Sequence, residues 1–309
     1  MLKLTIISLI IISNALCTSF RDDPLFQKFE EYTLKFQKVY STVNEFEARF
    51  EIFKDNFIKN AFSSESSKGI TKNFDLTKEE ITSLSAPKRC TTGQKRTINF
   101  DIKNLPKTFD WREKGKVTPI KNQSFLDTSF AFSSVGVLES QSLITYNKLN
   151  FYSEKQILDC DTDTSHLMQS ALLYVEKFGI EGENDYGKQT PKSNETCKYD
   201  KTKVLNYVKS VECLENASVD DIKVRLYTIG PLSIGVSSTD FGYYTSGILQ
   251  CTVNNEMDLG VLLVGYGEDH WIIKNSWGKT WGEGGFARIS MTQGKNCGIG
   301  QYVVSADLV

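Results

Sequence analysis

The chain has 309 residues, 40 % of them hydrophobic and 24 % charged, which is enough apolar material for one large or two-lobed domain with processing segments attached. Its formal net charge of −2 gives no electrostatic basis for binding nucleic acid or an anionic membrane surface. There are only two histidines, His166 and His270, and no cysteine lies in a CxxC or CxxH pattern, so neither a metal site nor a cofactor is expected.

Residues 1–17 begin Met-Leu-Lys, continue through the apolar run TIISLIIISNALC and end on small residues, the pattern of a secretory signal peptide cleaved after Cys17. No later stretch is long and apolar enough to span a bilayer. Seven cysteines fall to an even six once Cys17 is removed: Cys90, Cys160, Cys197, Cys213, Cys251 and Cys297. In a secreted chain these imply disulfides. N-x-S/T sequons occur at Asn122, Asn194 and Asn216, and the last two are the glycosylation candidates.

Residues 24–60 show aromatic side chains at three- and four-residue spacing: Phe26, Phe29, Tyr32, Phe36 and Tyr40, then Phe46, Phe50, Phe53 and Phe57. That spacing predicts an amphipathic helical pair. Residues 82–104 are polar and basic, with Lys88-Arg89 and Lys95-Arg96, and read as a linker open to processing. Helices are predicted at about 128–148, at 167–178 ahead of Gly179, and at 218–229 behind the capping residue Ser218. In the first, Phe132, Val135, Leu138 and Leu143 can share a face. Beyond Gly230-Pro231 the chain changes to short β-rich runs, PLSIGV, GVLLVGY, WIIKN and GFARIS, separated by glycines. Helices first and strands later predict an α+β protein.

Two segments carry a resemblance. Residues 117–135, VTPIKNQSFLDTSFAFSSV, and residues 271–286, WIIKNSWGKTWGEGGF, resemble the two active-site segments of papain-family cysteine proteases, cathepsin L-like zymogens in particular. Glu45, Arg49, Phe53 and Asn56 keep the spacing of that family's proregion motif. Gly69 and the run from Asp75 to Glu80 resemble a second proregion motif, from which Thr71 and Asn73 depart. Leu105 to Arg112 resembles the start of the mature domain. The resemblance implies a two-lobed fold, a helical lobe at about 105–215 and an antiparallel β-barrel-like lobe at about 216–309. It further implies that residues 18–104 are an inhibitory-type helical proregion with its linker. It pairs Cys160 with Cys197 and Cys251 with Cys297, and leaves Cys90 and Cys213 either paired or free.

The same resemblance places Ser129 at the position of the nucleophilic cysteine and Leu259, upstream of the VGYG run at 264–267, at that of the base histidine. Gln123 stands at the oxyanion-hole glutamine and Asn275 at the asparagine that orients the histidine. A serine hydroxyl needs a positioned base, and leucine is none. Asp127 replaces a family glycine and is expected to cap the following helix. Leu126 replaces a disulfide cysteine, and the loop from Cys160 to Met168 lacks the family's substrate-binding glycines. The expectation is therefore no enzyme but a monomeric, secreted or endolysosomal pseudoprotease that binds a papain-like protease, a protease inhibitor or a peptide. The alternatives are weak or altered peptide hydrolysis by Ser129, and inhibition of active relatives by the proregion.

Overall fold

A computed structural model describes residues 23–61 except 37, then 70, 74–77, 80 and 90, and residues 96–309 apart from 125–127, 164, 166, 189–195 and 252–256. The signal segment, Asn194, Leu126, Asp127, His166 and the glycine-motif residues Gly69, Thr71 and Asn73 lie outside the described residues.

The aromatic periodicity near the N-terminus forms α1 (Phe26–Lys35) and α2 (Val43–Ala61). Phe26, Phe29, Tyr32, Phe50, Phe53 and Phe74 close a small aromatic core between them, with Phe29 within 5.2 Å of both Phe50 and Phe53. The Asp75 carboxylate gathers this unit by accepting from Tyr32 Oη at 2.5 Å, Lys38 Nζ at 2.7 Å and Tyr40 Oη at 2.8 Å. Arg49 Nη1 pairs with Glu80 at 2.6 Å. Asn56 is buried and donates to the carbonyls of Phe74 and Leu76, both at 3.0 Å, while Tyr243 Oη donates to its Oδ1 at 2.8 Å. Tyr243 also meets Phe74 edge-on at 5.6 Å, so the helical unit is seated on the rest of the protein by one tyrosine that stacks and bonds.

The remainder is built around an eight-stranded sheet. Its order is β4 (Val208–Glu215), β10 (Tyr302–Leu308), β5 (Leu232–Val236), β7 (Leu259–Tyr266), β8 (His270–Lys274), β9 (Phe286–Ser290) and β6 (Ile248–Leu249), and β1 (Phe109–Asp110) pairs with β7. All pairings are antiparallel except β6 with β9. A separate two-stranded ribbon joins β2 (Ile180–Glu181) to β3 (Val204–Asn206). The strand period of two divides the side chains between two cores. Leu262, Val264, Ile272, Val304 and Ala306 face a helical layer of α3 (Ser129–Thr145), α4 (Glu154–Cys160) and α5 (Met168–Phe178). Leu232, Ile234, Leu259, Val261, Leu263, Trp271 and Ile273 face a second core with Trp277, Trp281 and α6 (Val219–Thr228).

Three differences from the sequence expectation have physical causes. The helix at α3 is buried on all sides from Ser129 to Ser142 rather than presenting one apolar face, because it is wedged between the sheet and the other helices. Thr128 holds the N-cap position of α3 and makes no side-chain capping bond. Strands are not confined to the stretch beyond Gly230-Pro231, because β1 and β4 precede it and pair with β7 and β10. Three disulfides close the structure: Cys160–Cys197, Cys251–Cys297 and Cys90–Cys213.

Replacing Asn56 with alanine leaves two buried carbonyls and the Tyr243 hydroxyl without their partner. The expected cost is about 1–3 kcal/mol of stability in the N-terminal unit. Urea unfolding followed by protease susceptibility of residues 23–80 checks it.

Candidate functional site

The site forms where the first turn of α3 meets β7. Ser129, the first residue of α3, is buried, and its Oγ accepts from the backbone N–H of Gly260 at 3.1 Å. Only glycine fits there: a Cβ on residue 260 would lie 2.8 Å from Ser133 Oγ and 3.1 Å from the Ser129 carbonyl. Leu259 opens β7 one residue earlier, so it points to the opposite face and is fully buried in the core with Val261 and Leu263. Among the described residues no imidazole, amine or carboxylate makes a hydrogen bond with Ser129 Oγ.

The supporting groups lie together. Gln123 is buried; its N–H donates to the Ser276 carbonyl at 2.8 Å and its Oε1 accepts from Ser276 Oγ at 2.5 Å, which fixes the orientation of its amide. Asn275 precedes Ser276, and its Oδ1 accepts from the Ser276 N–H at 2.8 Å. Among the described residues, the buried donors Asn275 Nδ2 and Trp277 Nε1 have no hydrogen-bond partner. Such orphaned donors are uncommon in folded proteins, and a leucine at 259 supplies no acceptor for them. Of the four positions singled out from sequence, Ser129, Gln123 and Asn275 keep hydrogen-bonded roles around one cleft edge, while Leu259 has become core. The other polar groups are engaged elsewhere. Asp258 accepts from Ser238 N–H at 2.6 Å and from Ser238 Oγ at 3.0 Å. His270 sits at the far end of β8 with Nδ1 2.8 Å from the Asp269 carboxylate.

Sequence reasoning missed a buried ionic cluster directly behind this edge. Lys121 Nζ lies 2.7 Å from Glu139, 2.7 Å from Glu154 and 2.6 Å from Glu183. The three carboxylates are close enough together to hold a metal ion, but the lysine ammonium already occupies their centre. Thr118 Oγ1 donates to Glu139 and accepts from Lys274 Nζ at 2.9 Å. A cavity of about 20 Å³ between Ser133, Gly260, Lys274, Asn275 and Glu139 joins the cluster to the site. The available signal was the one charged residue of α3, Glu139, and a lysine near the end of the apolar run WIIKN.

Burial sets the protonation of the cluster. It pushes the Glu154 carboxyl up to about 7 against the pull of Lys121, and it pulls the Lys274 ammonium down to about 8 against the pull of Glu139. Burial also lowers Lys121, but Glu139 and Glu154 outweigh it and hold that ammonium firmly charged.

Helices on one face of an antiparallel-rich sheet and a second core on the other face define a two-lobed α+β protein of the papain type. Residues 105–306 match the family described as papain family cysteine protease, and the chain belongs to that family. It is 36 % identical to cysteine proteinase 15A of Pisum sativum over 89 % of this chain and 84 % of that one. It is 34 % identical to the viral cathepsin of Orgyia pseudotsugata multicapsid polyhedrosis virus over 90 % of each. Among solved structures it resembles recombinant stem bromelain precursor, with a TM-score of 0.82, 26 % identity and coverage of 92 % of this chain and 99 % of that one. It also resembles digestive procathepsin L 3 of Tenebrio molitor, with a TM-score of 0.80, 26 % identity and coverage of 93 % and 100 %.

These findings correct the expectation that the chain is no enzyme. Relatives matched along most of its length are named cysteine proteinases, and the family is one of peptidases. That expectation rested on the residues at 129 and 259, on Leu126 and Asp127 and on the glycine-free loop from Cys160 to Met168, whereas membership rests on some two hundred residues of shared fold and sequence.

The raised Glu154 carboxyl predicts a pH dependence. Between its unfolded value, about 4.3, and about 7 the folded protein binds more protons than the unfolded chain. Stability from this group therefore increases as pH falls through that window. Thermal melts at pH 7.5 and 5.0 should show a gain on acidification that Glu154→Gln reduces.

Proposed function

We propose that this protein is a secreted or endolysosomal, cathepsin-like member of the papain family whose cleft holds a polypeptide: an inhibitor, a peptide substrate or a segment of a related protease. Residues 1–17 serve as its signal peptide, and residues 18–104 as a prosegment with its linker. The observation that carries this reading is the hydrogen-bonded group of Gln123, Ser276 and Asn275 near the N-terminus of α3. Backbone N–H groups and the helix dipole favour a bound carbonyl or carboxylate at that helix end. The hydroxyl at 129 accepts from the Gly260 N–H, and no imidazole bonds to it among the described residues.

Changing Ser129 to cysteine and Leu259 to histidine together tests the groove. The thiol would then stand at the start of α3 and the imidazole at the start of β7. Thiol-dependent cleavage of peptides by the double variant should exceed that of the parent by at least about 100-fold. No gain, together with no saturable peptide binding by the parent, would overturn the proposed peptide cleft.

Secretion also gives a use to the turn between β4 and α6. Asn216 is exposed there with φ of 52°, and its sequon serine, Ser218, caps α6 by accepting from Asp221 N–H at 3.1 Å. Asn122 instead forms a bridge with Trp277 beside the cleft. Protein made in a secretory host should lose mass on peptide N-glycosidase treatment at Asn216, and Asn216→Gln should abolish that loss.

A further inference from the structure

The linker between the N-terminal unit and the main domain is fastened at two points to the same edge of the sheet. Cys90 is bonded covalently to Cys213 on β4, and its N–H donates to the Glu215 carboxylate at 2.8 Å. Six residues on, Arg96 is held through its backbone and its side chain. Its N–H donates to Glu212 at 2.7 Å, and its carbonyl accepts from Arg225 Nη2 at 3.2 Å. Its guanidinium pairs with Asp307 at 2.5 Å and bonds to Ser210 Oγ at 2.9 Å. Glu212 is in turn clamped by the buried Arg225, through bonds of 2.9 and 2.8 Å. A protease that recognises a basic residue must draw the side chain into its own pocket and extend the backbone on both sides. At Arg96 both are already engaged.

The next stretch is different. Asp101 to Asn104 are exposed, and the single turn Ile102–Asn104 is held only by local bonds: Lys103 N–H to Asp101 Oδ1 at 3.0 Å, Asn104 N–H to the Asp101 carbonyl at 2.9 Å and Leu105 N–H to the Ile102 carbonyl at 3.0 Å. Such a turn opens locally at little cost, which is what proteolytic nicking requires. Lys103 within it is exposed, and among the described residues no distant side chain clamps it.

We propose that Lys103–Asn104 is a processing site for a separate protease of trypsin-like specificity, and that the product is a two-chain protein joined by Cys90–Cys213. Hydrolysis consumes one water and breaks one C–N bond, leaving a carboxylate on Lys103 and an ammonium on Asn104. The cut lies inside the loop that the disulfide closes, 123 residues long, so the N-terminal piece remains covalently attached. In a family whose prosegment is built as a separable helical unit, the cut alone then releases nothing. The tethered unit stays at high effective concentration beside Tyr243. Detachment needs a second event, in which two thiols reduce the disulfide to Cys90 and Cys213 thiols and are themselves oxidised to a disulfide.

The test is limited trypsin digestion of the full chain purified from a secretory host, mapped by mass spectrometry and run on denaturing gels with and without reductant. Cleavage after Lys103 should precede cleavage after Arg96 by at least about tenfold in rate. The cut protein should run as one species without reductant and as two fragments with it. A Cys90→Ser, Cys213→Ser variant should yield separate fragments without reductant. Should that variant fail to fold, thiol labelling of the denatured wild type decides, with no free thiol expected at Cys90 or Cys213. Fragments that separate without reductant in the wild type, free thiols at these two positions, or first cleavage after Arg89 or Arg96 would each overturn the proposal.

Discussion

The seating of α3 on β7 is the contact from which the remaining arrangement follows. Gly260 lets the two backbones approach until its N–H reaches Ser129 Oγ, and any side chain there would collide with Ser133 and the Ser129 carbonyl. With the helix fixed at that height, Leu262 and Val264 of β7 face the helical layer, while Leu259, Val261 and Leu263 face the tryptophan-rich core. Gln123, Ser276 and Asn275 then meet at the helix end because the segment before α3 bonds to the segment after β8 through Gln123 N–H and the Ser276 carbonyl. One close backbone approach thereby sets the sheet, both cores and the cleft edge.

Much of this is legible in the sequence. The aromatic spacing of residues 24–60, the boundaries of α5 and α6 and the four glycine-separated strands correspond to observed elements, because local periodicity and capping chemistry decide them. Strands β4 and β10 were not legible. VKSVECLE and YVVSADL mix polar and apolar residues, and they become strands by pairing with each other across almost ninety residues. The Cys90–Cys213 bond was undecidable for the same reason, since it depends on where the linker crosses β4. At the site, the identities at 129 and 259 were readable, but their surroundings were not. The buried ionic cluster was missed because Lys121, Glu139, Glu154 and Glu183 come from four separate segments, and each alone resembles an ordinary surface charge.

The cluster and the cleft edge are best seen as one polar seam between the two cores. Lys274 ends β8 immediately before Asn275, and through Thr118 it reaches Glu139 on α3. Burying so many charges is costly unless they are paired, and here each ammonium has carboxylate or hydroxyl partners. The buried donors of Asn275 and Trp277, without partners among the described residues, lie beside this seam.

The position of β10 has a bearing on how the chain can be made. This strand lies between β4 and β5, yet its residues, 302–308, follow every other element in the sequence. On the ribosome, β4 and β5 would emerge with a strand-wide gap between them, their facing N–H and C=O groups supplied only by water. The β sheet could close only after residue 308 had cleared the exit tunnel. The aromatic N-terminal unit, whose contacts are local, could assemble long before then. It would thus be a folded passenger on an unfinished domain, with Tyr243 as its landing point once that domain is complete.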